Sequence, residues 1–126
     1  MNNDNRPVFL NLWQIRLPLP GIASILHRIS GLLLFFSLPV LLWLLQTSLD
    51  SPTGFERVVS MLHHPLAMLS VAALLWSLAH HLLAGIRFLL LDMDVGLDRR
   101  ASTHSARLVI IAAPLLALLL MWRLYL

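Results

Sequence analysis

The 126-residue chain contains no cysteine. That absence excludes disulfides, thiolate metal sites and iron-sulfur ligation by this chain. Lysine is missing too, so the net charge of +3 is carried by arginine. Charge is scarce altogether: 12% of residues are charged against 59% hydrophobic, too little polar surface for an ordinary soluble domain of this length. The composition is that of an integral membrane protein, in which the placement of arginine speaks to orientation rather than to a nucleic-acid partner. At about 20 residues per helical crossing, the length accommodates three spans and leaves little for a soluble catalytic domain. Neither an internal repeat nor a low-complexity segment is visible. A signal-peptide pattern is absent as well. Asp4, Arg6 and Arg16 precede the first apolar run and no cleavage site of small residues accompanies it, so the first span is expected to stay attached.

What is present reads as an all-α integral membrane protein with three transmembrane helices in one domain, residues 1–126. The opening residues are polar and proline-punctuated, ending in Leu17-Pro18-Leu19-Pro20. Pro18 and Pro20 disfavour a regular helix, which predicts an extended or interfacial approach with Trp13 at headgroup level. The first span is expected over about residues 22–46, with Pro39 as a bend. Its continuous apolar run, Ile29 to Leu45, starts only after Arg28, which puts Arg28 at or just inside one membrane boundary. Thr47 to His64 reads as a connection, with Ser51-Pro52-Thr53-Gly54 as turn chemistry and a short interfacial helix over Phe55–Met61. Pro65 suits the first turn of a second span over about residues 66–91. Asp92 to Arg100 reads as a charged loop, and a third span follows over about 107–125 with Pro114 as a second bend. Arg6, Arg16, Arg28, Arg87, Arg99, Arg100 and Arg107 fall on one side of this topology, Arg57 and Arg123 on the other. The positive-inside rule then predicts a cytoplasmic N-terminus and an outer C-terminus.

The stretch from Ser77 to Arg87 puts two imidazoles, His80 and His81, and a guanidinium inside an otherwise hydrocarbon-soluble helix. Ionisable residues at membrane depth are expensive and point to function by default. A neutral imidazole there has one strong use, ligation of haem iron through one ring nitrogen while the other donates to an acceptor. Gly85 lies one turn from His81 on the same helix face and Ala84 one turn from His80, clearing space for a flat macrocycle. Arg87, His27 and Arg28 are placed near the membrane edge, where haem propionates need cationic partners. The alternative is that the histidines hydrogen-bond across a helix interface, for which small residues are equally suited. Arg28 and Arg87 fit snorkelling anchors as well as ligand contacts, and Ser24 fits a hydroxyl bonded back to its own helix. Adjacent residues point about 100° apart, so at most one of His80 and His81 faces a given iron. His63, His64 and His104 read as solvated loop residues. Trp43, Trp76 and Trp122 read as packing or interface residues.

Two ordered signatures carry a resemblance over almost the whole chain. Ser24-Ile25-Leu26-His27-Arg28-Ile29-Ser30-Gly31, preceded by Arg6-Pro7 and Leu17-Pro18, resembles the opening of the first helix in the cytochrome b membrane-anchor subunits of succinate dehydrogenase, respiratory complex II. His81-Leu82-Leu83-Ala84-Gly85-Ile86-Arg87 followed by Asp92 resembles that family's second signature. The resemblance implies that His81 is an axial ligand of a haem b shared with a second small membrane anchor subunit. It implies that Ser24 and Arg28 line a ubiquinone pocket, and that His27, Arg28 and Arg87 stand near the haem propionates. It further implies a flavoprotein subunit and an iron-sulfur subunit as partners, with electrons from succinate passing to quinone at a bacterial inner membrane, as a step of the tricarboxylic acid cycle and electron transport. The chain would perform no succinate chemistry of its own. Phe88 departs from the family pattern, which commonly has a histidine there. A fumarate reductase anchor and a cofactor-free structural subunit are the alternative readings.

Overall fold

The computed structural model describes residues 17–126. Trp13 and the approach segment, with Arg6 and Arg16, lie outside the described residues. Four helices follow in order: α1 (Leu19–Asp50), α2 (Pro52–Leu62), α3 (Pro65–Asp92) and α4 (Arg99–Tyr125). No strand occurs among the described residues. α1, α3 and α4 are each long and apolar enough to cross a membrane. At about 1.5 Å per residue, the 28 residues of α3 extend roughly 42 Å, beyond a hydrocarbon core of about 30 Å.

The helix starts explain where the structure departs from the hydropathy pattern. α1 takes in Pro20, because a proline in the first turn removes an N–H that would have no intrahelical partner anyway. The Pro18 carbonyl accepts from the N–H of Gly21 at 2.9 Å and of Ile22 at 3.1 Å, closing that turn. The short helix α2 is longer than the expected Phe55–Met61: the Ser51 hydroxyl caps it by accepting from the Gly54 N–H at 3.0 Å, with Pro52 in its first turn. α4 begins at Arg99 rather than near Arg107. The Asp98 carboxylate accepts from the Ala101 N–H at 3.0 Å, which starts the helix well before the apolar run. Arg99, Arg100 and His104 are therefore helical and not loop residues. The remaining connection, residues 93–98, is turned by Asp94 at φ 61° and Gly96 at φ 79°.

α3 packs against both α1 and α4, α1 also meets α4, and α2 lies mainly along α1. The contact surfaces are built from small residues. Ala23, Ala79, Ala84, Ala106, Ala113 and Ala117 are buried, and Ser30 and Ser77 are fully so. Large side chains point outward instead, Phe36 being 70% and Leu42 64% exposed. That inversion suits lipid, where hydrocarbon solvates leucine and phenylalanine while small residues let helix backbones approach. At the far end the Tyr125 hydroxyl donates to the Leu62 carbonyl at 3.0 Å and ties α4 to α2.

Candidate functional site

The adjacent histidines of α3 are sorted by the packing of α1. His80 is 1% exposed; its Nε2 approaches the Ala23 carbonyl at 3.5 Å and its ring stacks on Trp76 at a centroid distance of 5.5 Å. His81, about 100° further round the helix, is only half-buried and lies across α1 at Ser30 and Gly31. Its Nδ1 stands 3.2 Å from the His27 carbonyl. A carbonyl only accepts, so Nδ1 carries the proton and Nε2 carries the lone pair. Among the described residues Nε2 of His81 makes no hydrogen bond. An imidazole held through one nitrogen with the other left available is the usual disposition of a metal-ligating histidine.

His27 completes the cluster. Its ring stacks on that of His81, with centroids 4.1 Å apart and planes 9° from parallel. Phe88 meets the His27 ring edge-on at 5.1 Å, so the residue that departs from the family pattern packs against the histidine one helix away. Gly85 opens toward the same ring: a Cβ there would lie 3.7 Å from His27 Nε2. His27, His81 and Gly85 thus meet at one α1–α3 seam. Among the described residues no group of three or more His, Asp or Glu side chains is disposed to hold a free metal ion.

Ser24 and Arg28 lie one turn apart on α1, sharing a face. Arg28 is exposed and Ser24 half-buried. Ser30, Ser37, Ser48, Ser70, Ser77 and Ser105 each return their hydroxyl to a carbonyl of their own helix. Ser24 does not: among the described residues its hydroxyl makes no hydrogen bond, which removes the back-bonded reading of this residue.

Arg87 lies about 120° round α3 from His81, toward α4. It is 5% exposed and bridges to α4, donating from Nε to Ser105 Oγ at 2.9 Å and from Nη2 to the Ser102 carbonyl and Ser102 Oγ, both at 3.1 Å. Its guanidinium carbon also stands 5.4 Å from the Phe88 ring centre. Arg87 is therefore a helix tie and not a free snorkelling anchor. A guanidinium has five N–H donors, and the two on Nη1 are outside these three bonds.

Ser102 and Ser105 were not singled out by the sequence pattern. Their signal is Ser-x-x-Ser near a helix start, two residues three apart that face one neighbour, and it is hidden once the segment is taken as the edge of a loop. An apolar groove of about 530 Å³ runs between α1, α2 and α3 past Leu33, Leu44, Leu62 and Val71. None of the sequence-predicted site residues lines it.

Three membrane-length helices with an imidazole pair stacked at the seam of the first two define a polytopic membrane subunit with a histidine cluster at a helix interface. Comparison with known sequences places it more narrowly: the chain belongs to the succinate dehydrogenase/fumarate reductase transmembrane subunit family, which matches residues 2–121. It is similar to the succinate dehydrogenase cytochrome b556 subunit of Paracoccus denitrificans, 33% identical over 119 residues that cover 94% of this chain and 92% of that protein. The protein of the same name from Coxiella burnetii is 35% identical over 126 residues, covering 95% of this chain and 99% of its own length. The one from Rickettsia felis is 27% identical over 118 residues.

Proposed function

We propose that this chain is a membrane anchor subunit of a succinate:ubiquinone oxidoreductase, with its N-terminus in the cytoplasm of a bacterium and its three spans in the inner membrane. It docks a flavoprotein and an iron-sulfur subunit on the cytoplasmic face, and shares a haem b with a second small anchor subunit. The observation that carries this reading is His81: Nδ1 held by the His27 carbonyl at 3.2 Å, Nε2 left for a ligand bond, on a chain whose relatives are named cytochrome b556 subunits. The residues present fit a haem that would be held by one histidine of this chain and one of the partner anchor. When bound, the haem would supply a one-electron redox centre.

The rest is the work of this chain's side chains. His81 would hold the haem through Nε2, and Gly85 brings no side chain of its own to the seam where the His27 ring lies. His27 and Arg28 supply hydrogen-bond donors and positive charge for the propionates, and Arg87 contributes through Nη1 while its other donors hold α4. Ubiquinone reduction consumes two electrons and two protons, and negative charge develops on a quinone oxygen. The Ser24 hydroxyl, unbonded among the described residues, donates to that oxygen, and Arg28 one turn on stabilises the charge. Arg28 acts electrostatically, because a guanidinium is a poor proton donor. The protons are delivered from water or from a partner subunit.

The test separates quinone chemistry from succinate chemistry in the assembled complex. Ser24→Ala and Arg28→Leu are expected to depress succinate-to-ubiquinone activity by about 10-fold or more, the scale of losing a transition-state donor. Succinate oxidation with an artificial dye acceptor at the flavoprotein should stay unchanged. Full quinone activity in both variants would overturn the assignment of the quinone site.

A further inference from the structure

The His81 ring does not simply rest against α1; it occupies volume that only a glycine leaves open. A Cβ built on Gly31 would stand 2.9 Å from His81 Cε1 and 3.3 Å from Nδ1. The first of these distances is shorter than real Cβ contacts allow, so an alanine at position 31 would displace the His81 ring. Immediately before it, Ser30 is fully buried and donates its hydroxyl proton to the His27 carbonyl at 2.8 Å. With that proton committed, Ser30 Oγ turns a lone pair toward His81 Nδ1 at 3.4 Å. Nδ1 therefore faces two oxygens, the His27 carbonyl and the Ser30 hydroxyl.

We propose that Ser30 and Gly31 form the seat that fixes the plane and the tautomer of His81, making them positioning residues for the haem ligand. The inference rests on the ligand role given to His81 above. The tautomer with its proton on Nε2 would aim the Nδ1 lone pair at two oxygen lone pairs in a partly buried setting, losing a hydrogen bond and replacing it with repulsion. With the proton held on Nδ1, Nε2 is kept as donor to iron. Acceptors on the N–H also push electron density through the ring and make Nε2 the stronger ligand. Gly31 sets the ring's approach to α1, and with it the direction in which Nε2 points. The pair thus controls both the chemistry and the aim of one nitrogen from two consecutive positions of the neighbouring helix.

The purified membrane complex, with its flavoprotein and iron-sulfur subunits, is compared as wild type, Ser30→Ala, Ser30→Thr, Gly31→Ala and His81→Leu. The readouts are haem content, the low-spin ferric electron paramagnetic resonance signal and the haem midpoint potential. Ser30→Ala should keep its haem but shift the midpoint to a more positive value, because ferric iron loses support from a weakened ligand. Ser30→Thr keeps a hydroxyl in reach of the same carbonyl and should restore the wild-type midpoint. Gly31→Ala should move the resonance signal and weaken haem retention by about 10–100-fold, the usual cost of disturbing a ligand's support. Wild-type midpoint and resonance signal in assembled Ser30→Ala and Gly31→Ala would overturn the seat. If Gly31→Ala does not assemble, the Ser30 pair decides: a shift in alanine absent from threonine upholds the proposal, and no shift in alanine overturns it. An unaltered haem spectrum in His81→Leu would instead overturn the ligand assignment itself, so the two failures are distinguishable.

Discussion

Replacing Ser102 and Ser105 together by alanine removes two of the three hydrogen bonds that tie Arg87 to α4, leaving only the Ser102 carbonyl. Hydrogen bonds between membrane helices average about 0.6 kcal/mol and reach about 1.7 kcal/mol, so the double change costs about 1 kcal/mol and at most about 3 kcal/mol. The upper part of that range is expected. Arg87 is 5% exposed, and a cation stripped of partners inside a helix bundle costs more than a neutral donor in the same place. Arg87→Met removes the charge together with its need for partners and keeps most of the stem volume. On that background the serine changes should cost little. A double-mutant cycle by thermal melts of the purified complex therefore predicts a coupling of roughly 1–3 kcal/mol between Arg87 and the serine pair. Strict additivity, with the serine changes costing the same whether residue 87 is Arg or Met, would refute the helix tie.

Gly54→Ala should destabilise the α1–α2 corner by about 1–3 kcal/mol, since the new Cβ would run into the Thr47 carbonyl, a backbone atom that yields little; faster proteolysis at residues 51–64 checks it. Tyr125→Phe loses the bond to the Leu62 carbonyl and should lower stability by about 0.5–1.5 kcal/mol with quinone activity intact, read by melts and turnover together. Phe88→Leu removes the edge contact to His27 and should cost about 0.5–1.5 kcal/mol beyond the lost area, read by comparison with Phe88→Tyr, which keeps the ring.

The membrane class was legible because hydrocarbon solvation acts on composition and run length, and both are properties of the sequence alone. Helix ends were less so. Hydropathy registers where a helix is apolar and not where it is helical, so the polar first turns of α4, started by the Asp98 cap, were read as loop. Pro20 misled in the opposite direction, because proline breaks a helix interior but is tolerated in a first turn. At the site, the sequence pattern left His80 and His81 open and the family resemblance chose His81 as the proposed ligand; the side on which α1 packs gives the two rings different surroundings. His80 faces Ala23 and Trp76, while His81 faces the His27 carbonyl. That side is a tertiary fact, set by which face of α3 carries Ala79 and Ala84 against which residues of other helices. For the same reason the partners of Arg87, which lie 15 and 18 positions along the chain, were beyond any local pattern.

The most direct test of the account is a reduced-minus-oxidised optical spectrum of the purified membrane complex carrying His81→Leu, set beside His80→Leu and wild type. Loss or alteration of the b-type signal with His81→Leu alone, in complexes that retain their flavoprotein and iron-sulfur subunits, is the predicted result. A wild-type spectrum in His81→Leu, or a loss that follows His80→Leu instead, would contradict the assignment of His81 as the ligand this chain supplies.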